Sequence, residues 1–138
     1  MTVLSPSLIG FFRPGTSRSD PKQFERGLEA YENRQYLEAL RLWRLASQAG
    51  NPEADYRIGL LYARNEGVIG NLPDAVAWYE RAAVKGHTEA QFQLGHLYAI
   101  GRGVEHDYVQ SRHWTRQAAL QNHEQALREL KRREYRDP

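Results

Sequence analysis

The chain has no cysteine and a single methionine among its 138 residues. The missing cysteine excludes a disulfide framework and a thiolate metal site, but leaves the compartment open, since many periplasmic proteins also lack it. No apolar run approaches the roughly 20 residues that a membrane-spanning helix needs. Charge of one sign is scarce too: 19 Lys and Arg against 17 Asp and Glu leave a net charge of +2, too small a bias to imply nucleic acid. No phosphate-binding loop, nucleophile elbow or dinucleotide glycine motif occurs. Ser19-Asp-Pro-Lys22 fits a bare serine-x-x-lysine pattern, yet its companion motifs are missing and a helix start explains it better. The five histidines show no ligand spacing. His87 and His123 fall in turns, where a polar surface residue is the ordinary expectation, and His106 and His113 lie in and after a loop. The chain therefore reads as a non-enzyme, with no cofactor and no metal site.

What the chain does have is repetition. A step of 36 residues carries Gly50, Glu53, Ala54, Gly59, Leu61, Tyr62, Ala63, Gly67 and Val68 onto Gly86, Glu89, Ala90, Gly95, Leu97, Tyr98, Ala99, Gly103 and Val104. The same step takes His87, Ala90 and Leu94 to His123, Ala126 and Leu130, and Trp78, Ala82 and Ala83 to Trp114, Ala118 and Ala119. Self-similarity at this period marks stacked supersecondary units, each unable to bury its apolar face alone. With 41% hydrophobic and 11% aromatic residues, the chain can supply the core of one domain.

Within each unit the apolar spacing is helical. Ser19 or Asp20 can cap a first helix with Pro21 in its first turn and Phe24, Leu28 and Tyr31 on one face, ending at Asn33. A second helix is predicted from Tyr36 to Ala49, with Ala39, Leu42, Trp43 and Ala46 inward and Gly50 as its stop. Five more follow, over Pro52–Arg64, Pro73–Lys85, Thr88–Ile100, Tyr108–Gln121 and Glu124–Arg136. Glycine costs about 1 kcal/mol against alanine inside a helix. Gly59 and Gly95 therefore imply close approach of a neighbouring helix. Ala39, Ala75 and Ser111 form one matching column, and Ala46, Ala82 and Ala118 another. Trp78 with Trp114, and Tyr62 with Tyr98, are expected to fill the space between helices with their polar tips at an edge. Gly67 and Gly103 suit a left-handed turn, as do Asn65 and Gly101, and Val68 and Val104 should plug the loops back into the core.

Residues 1–19 differ. Val3, Leu4, Leu8, Ile9, Phe11 and Phe12 are apolar, but Pro6, Gly10, Pro14 and Gly15 break any helical period, and no basic segment precedes them as in a secretory signal. They read as a leader, flexible or docked on the body through Leu8–Phe12, followed by a single repeat domain over 20–138. The expected location is the cytoplasm, with the periplasm as the alternative.

The run from Gly86 to Val104, followed by Asp107, Trp114 and Ala118-Ala119, resembles the Sel-one-like repeat, a longer-looped relative of the tetratricopeptide repeat. The resemblance spans Phe24 to Leu130. The first pair, from Gly27 through Tyr36 and Ala39, has a loop four residues shorter and looks more like an ordinary tetratricopeptide unit. Asn71 stands where Asp107 does, Ser111 replaces the usual alanine, and Lys131 and Glu134 replace the glycine and tyrosine of the last first-helix, which thus reads as a C-terminal cap. The resemblance implies an all-α, right-handed α-solenoid of about three helix pairs plus that cap, binding other proteins and without catalysis by the repeat. One subfamily is linked to penicillin binding, but it is cysteine-rich.

In such solenoids the first helix of each pair lines the concave face. The columns expected there are Phe24, Tyr56, Phe92 and Arg128, then Leu28, Leu60, His96 and Arg132, then Tyr31, Ala63, Ala99 and Tyr135, beside Glu32, Arg64, Ile100 and Arg136. The groove so read is aromatic and aliphatic near its N-terminal repeats and basic at the cap. It suits a protein or peptide partner with an apolar anchor and an acidic group. Tyr56 and Phe92 equally suit packing between repeats. Two alternatives stand beside this reading. One is binding of nucleic acid or an anionic surface through Arg128, Lys131, Arg132, Arg133 and Arg136, which Glu129, Glu134 and Asp137 dilute. The other is self-association through the leader, in a protein otherwise expected to be a monomer or weakly self-associating.

Overall fold

The computed structural model describes residues 22–136, with seven helices and no strand among them. They are α1 (Lys22–Glu32), α2 (Tyr36–Gln48), α3 (Pro52–Arg64), α4 (Leu72–Val84), α5 (Thr88–Ile100), α6 (Tyr108–Leu120) and α7 (Glu124–Arg136). The leader, its Leu8–Phe12 segment, the Ser19 or Asp20 cap, Pro21 and Asp137 lie outside the described residues.

Local chemistry fixes the helix starts. The Asn51 side chain accepts from the backbone N–H groups of Glu53 and Ala54, at 3.0 and 3.3 Å, with Pro52 opening α3. Asn71 does the same for α4 through Asp74, and Asp107 for α6 through Val109 and Gln110. Because Asn71 is the cap, α4 begins at Leu72 and ends at Val84, one residue before the Pro73–Lys85 span that the sequence suggests. The turns use left-handed backbone where expected: Asn65 (φ 54°) and Gly101 (φ 66°) terminate α3 and α5, and Gly67 and Gly103 lie in the loops beyond. The first helix ends at Glu32, next to Asn33; the left-handed residue of its turn is Arg34 (φ 60°), and the Gln35 N–H closes the turn on the Ala30 carbonyl.

Each helix packs mainly on its sequence neighbours, so the units stack in chain order. The interior divides into three clusters, around Trp43, Ile58 and Leu61, around Tyr79, Leu94 and Leu97, and around Ala118 and Ala126. The glycine argument holds in detail. A Cβ on Gly59 would come 2.6 Å from the Tyr79 ring, and one on Gly95 would come 2.6 Å from Thr115 Oγ1 and 3.1 Å from the Ser111 carbonyl. Ala39, Ala75 and Ser111 are wholly buried, as the column predicts. Val68 and Val104 pack on the first and second clusters.

The large side chains fall in two sets. The column under the glycines is Trp43, Tyr79 and Thr115, all buried, whereas Trp78 and Trp114 are half-buried at the edge. Trp78 reaches back onto the first cluster, and the Arg81 guanidinium lies 5.0 Å from its ring centre. Trp114 packs likewise on the second cluster, while Trp43, Tyr79 and Thr115 share a place without sharing a side chain. Tyr62 and Tyr98 do keep polar tips at the edge: the Tyr62 hydroxyl accepts from Arg44 at 3.1 Å, and the Tyr98 hydroxyl donates to Glu80 at 3.0 Å.

Candidate functional site

The face of α1, α3, α5 and α7 carries the candidate residues, and burial sorts them. Phe24, Leu28 and Tyr31 lie partly in the first cluster, Tyr56 and Leu60 in the second, and Phe92 in the third. Trp43 donates its indole N–H to the Phe24 carbonyl at 3.2 Å, which holds α1 against α2. The Tyr31 hydroxyl donates to Glu66 at 2.6 Å, tying α1 to the loop after α3, and that bond raises the Tyr31 pKa. Tyr56 packs between its own repeat and the next, its ring 5.7 Å from Tyr79 and stacked 4.6 Å from His87. Burial pushes its hydroxyl up to about 12. Phe92 repeats this one unit later, stacked 4.4 Å from His123.

The remaining candidates face outward. Arg64, His96, Ile100, Arg128 and Arg132 are exposed, Ile100 at 47%. Arg64 lies 3.7 Å from Glu66. The basic end of the face is largely neutralised within its own helix, since Arg128 pairs with Glu124, and Arg132 and Arg133 both pair with Glu129. Arg133 also donates to the buried Ser111 hydroxyl at 3.3 Å. This is the physical reason that Ser111 departs from alanine: it receives a core-edge arginine that the cap carries in place of leucine. The Arg136 and Tyr135 side chains lie outside the described residues.

Two histidines that read as turn residues are structural clasps. His87 Nδ1 accepts from the Ala90 N–H at 3.0 Å and so caps α5, while its Nε2 bonds Glu53 on α3. His123 does the same at the start of α7, through Ala126 at 3.2 Å and Glu89 at 2.9 Å. In each ring Nδ1 faces the backbone N–H and Nε2 faces the glutamate. The His87 bond, helped by Arg57, holds the Glu53 carboxyl below the usual carboxylate value. Both clasps border an open cleft of about 610 Å³ at the N-terminal ends of α3 and α5, lined also by Tyr56 and Lys85. The recurrence of glutamate 34 residues before each histidine was the signal available in the sequence.

Behind the cleft lies a polar group that sequence reasoning missed. Asp55 is wholly buried on α3, where it accepts from the Ser47 hydroxyl and from Lys85 Nζ at 2.8 Å, with Arg81 at 3.5 Å. One repeat later Gln91 takes its place, donating to the Ala83 carbonyl at 3.1 Å and accepting from Gln121 at 2.9 Å. Every one of these partners is internal, so Asp55 ties α2, α3 and α4 together at this junction. Among the described residues no cluster of three potential metal ligands occurs. No helix among them is long and apolar enough to cross a membrane.

Comparison with known proteins agrees with this architecture. Residues 24–51, 52–87 and 88–123 each match the Sel1 repeat. Comparison with curated protein sequences gives no match. Among solved structures, the chain is 37% identical to a Sel1 repeat protein from Oxalobacter formigenes, over 75% of this chain and 42% of that one, with a TM-score of 0.70. It is 30% identical to a protective antigen of uropathogenic Escherichia coli with an SLR fold, over 80% of this chain and 24% of that one, with a TM-score of 0.73. The chain thus spans less than half the length of either protein. Cysteine-rich protein B of Helicobacter pylori shares the fold at 18% identity, over 82% of this chain and 96% of that one, with a TM-score of 0.64. The fold is the α-solenoid of these neighbours, and the chain belongs to the Sel1 repeat family, whose helical scaffolds are generally protein-interaction modules.

Proposed function

We propose that the chain holds a peptide or helix of a partner protein along the face formed by its first helices, with Phe24, Leu28, Tyr31, Tyr56, Leu60, Arg64, Phe92, His96, Ile100, Arg128, Arg132 and Arg136 as the contact set. The observation that carries this reading is the division of labour on one face. Aromatic residues are half-buried and rigidly held between repeats, while His96, Ile100, Arg128 and Arg132 beside them are exposed and add nothing to the core. Rigid aromatic anchors with exposed apolar and arginine neighbours suit a bound segment, which would lose less entropy on docking against a preformed surface. Arg128 and Arg132 would exchange their glutamate partners for an acidic group of the ligand.

The test compares the wild-type chain with an Ile100→Asp, Arg132→Glu variant in affinity capture from lysate. Both sites are exposed, so the circular dichroism melt should stay unchanged. A protein retained by the wild type and lost by the variant supports the face as the binding surface. Equal retention places the interface elsewhere.

A further inference from the structure

We propose that His87 and His123 are a pair of pH-operated clasps in the stack, closed while each ring is neutral with its proton on Nε2, and opened at the starts of α5 and α7 when the ring takes up a second proton. One place in successive units is held by three capping residues, Asn51, His87 and His123, at the same step of 36 residues. Asn51 accepts the N–H groups of Glu53 and Ala54 through its side-chain carbonyl, which keeps that capacity at any pH. His87 and His123 accept the equivalent N–H groups, of Ala90 and Ala126, through Nδ1. An imidazole nitrogen accepts only while it carries no proton, and in the charged ring both nitrogens donate. Imidazole is the side chain that changes charge between about pH 8 and 5.

The surroundings decide what the charged ring does. Nε2 of His87 faces Glu53 from α3, and Nε2 of His123 faces Glu89 from α5. Both side chains are only 13% accessible and lie stacked over Tyr56 and Phe92. The other charges around His87 are Arg57 on α3, which holds the second Glu53 oxygen, Lys85 just after α4, which holds Asp55, and Glu89 on α5. The end of α6 brings the uncharged Gln121. His123 shares the cleft with Lys85 and Glu53, and Glu124, next to it on α7, is paired with Arg128. The His87 bond holds the Glu53 carboxyl below the usual carboxylate value, so Glu53 stays charged throughout the range in which imidazole titrates.

Two demands therefore meet in one ring. The glutamates attract an imidazolium at Nε2, while the facing N–H and the positive end of the helix dipole oppose a proton on Nδ1. That proton is accommodated only when the bond to Ala90 or Ala126 is given up. The acid form stays tied to the glutamate of the preceding unit and releases the first turn of the helix it capped. The cap is complete above the titration range and is lost as pH falls through it. Asn51 does not titrate, so α3 keeps its cap and the response is confined to the starts of α5 and α7, beside the cleft. This device is independent of what the first-helix face binds.

Amide exchange followed by NMR on the full chain tests the proposal. Between about pH 7.5 and 5.5, protection of the Ala90 and Ala126 amides, corrected for intrinsic exchange, should fall about fivefold, the contribution of one helix cap, while that of Ala54 holds. His87→Asn gives α5 the cap that α3 uses, and should remove the change at Ala90 while leaving it at Ala126. His123→Asn should do the reverse. Imidazole nitrogen spectra at the higher pH should show Nδ1 of both rings without a proton and Nε2 with one. A proton on Nδ1 at that pH overturns the proposal. So does protection at Ala90 and Ala126 that acid leaves unchanged, an equal loss at Ala54, or a loss at Ala90 that persists in folded His87→Asn.

Discussion

The junction between the first and second repeats and the junction between the second and third share one plan and differ in chemistry. The first buries the Asp55 carboxylate among Ser47, Lys85 and Arg81, and the second buries the Gln91 amide against Gln121 and the Ala83 carbonyl. The histidine clasps stand one unit further along, His87 over Tyr56 joining the second repeat to the third and His123 over Phe92 joining the third to α7. At the register of Asp55 and Gln91 each of these two junctions buries a satisfied polar group, supplied by ions in one and by amides in the other. The two solutions carry different risks. An amide that loses a partner leaves one unmet hydrogen bond, whereas a buried carboxylate that loses its cations leaves a charge in low dielectric.

The largest expected effect follows from that asymmetry. Replacing Lys85 and Arg81 together by methionine strands Asp55, and should cost about 3–5 kcal/mol in urea unfolding. Converting the first junction into the second, by Ser47→Ala, Asp55→Gln, Arg81→Gln and Lys85→Gln, should cost about 1 kcal/mol or less, because each polar group keeps a partner. A conversion as damaging as the double methionine variant would show that the junctions are not interchangeable.

Next in size is the close approach inside each pair. Gly95→Ala places a methyl 3.1 Å from the Ser111 carbonyl and from the Thr115 N–H, backbone that cannot turn aside, and should cost about 1–3 kcal/mol. Gly59→Ala meets chiefly the Tyr79 ring, with the Ala75 carbonyl at 3.3 Å. The helices there can adjust around one side chain, so Gly59→Ala should cost less than Gly95→Ala in the same unfolding assay.

A smaller effect distinguishes the clasps by pH. The folded state holds Glu53 below its usual value of 4.5, chiefly through the His87 bond. A depressed carboxylate contributes stability that is complete above the unfolded value and is lost as pH falls through the folded one. His87→Ala should therefore cost about 1–2 kcal/mol near neutrality, from the lost cap and bond. It should also flatten the decline of stability in acid. A variant whose acid limb is as steep as the wild type's would remove Glu53 from the account.

Repetition made the scaffold legible and hid the junctions. Gly59, Gly95, Val68 and Val104 recur unchanged because every pair must meet the same backbone geometry, so the sequence declares their roles. Asp55, Gln91 and Leu127 occupy one register with three chemistries, and only their joint change with Lys85 and Gln121 would have marked the place. Trp43, Tyr79 and Thr115 were obscured for the same reason. The candidate face was legible as helix surface, since periodicity fixes which side of α3 or α5 points outward. The pairing of its arginines was not, because whether Arg128 meets Glu124 or a ligand depends on rotamers that spacing leaves open.

The smallest effect lies within α7, where two arginines of one helix differ by their surroundings. Arg128 forms an exposed pair with Glu124, with side chains 68% and 76% accessible, so solvent screens it and Arg128→Ala should change stability by at most about 0.5 kcal/mol. Arg133 is 22% accessible, pairs with Glu129, and is the partner of the buried Ser111 hydroxyl. Arg133→Ala should cost about 1–2 kcal/mol, because it leaves that hydroxyl unmet and removes the stem that covers α6. Adding Ser111→Ala to it should recover part of the loss, by restoring the alanine that the earlier repeats carry at Ala39 and Ala75. If the second substitution recovers nothing, the Arg133 contribution is packing of its stem alone, and the bond to Ser111 contributes no net stability.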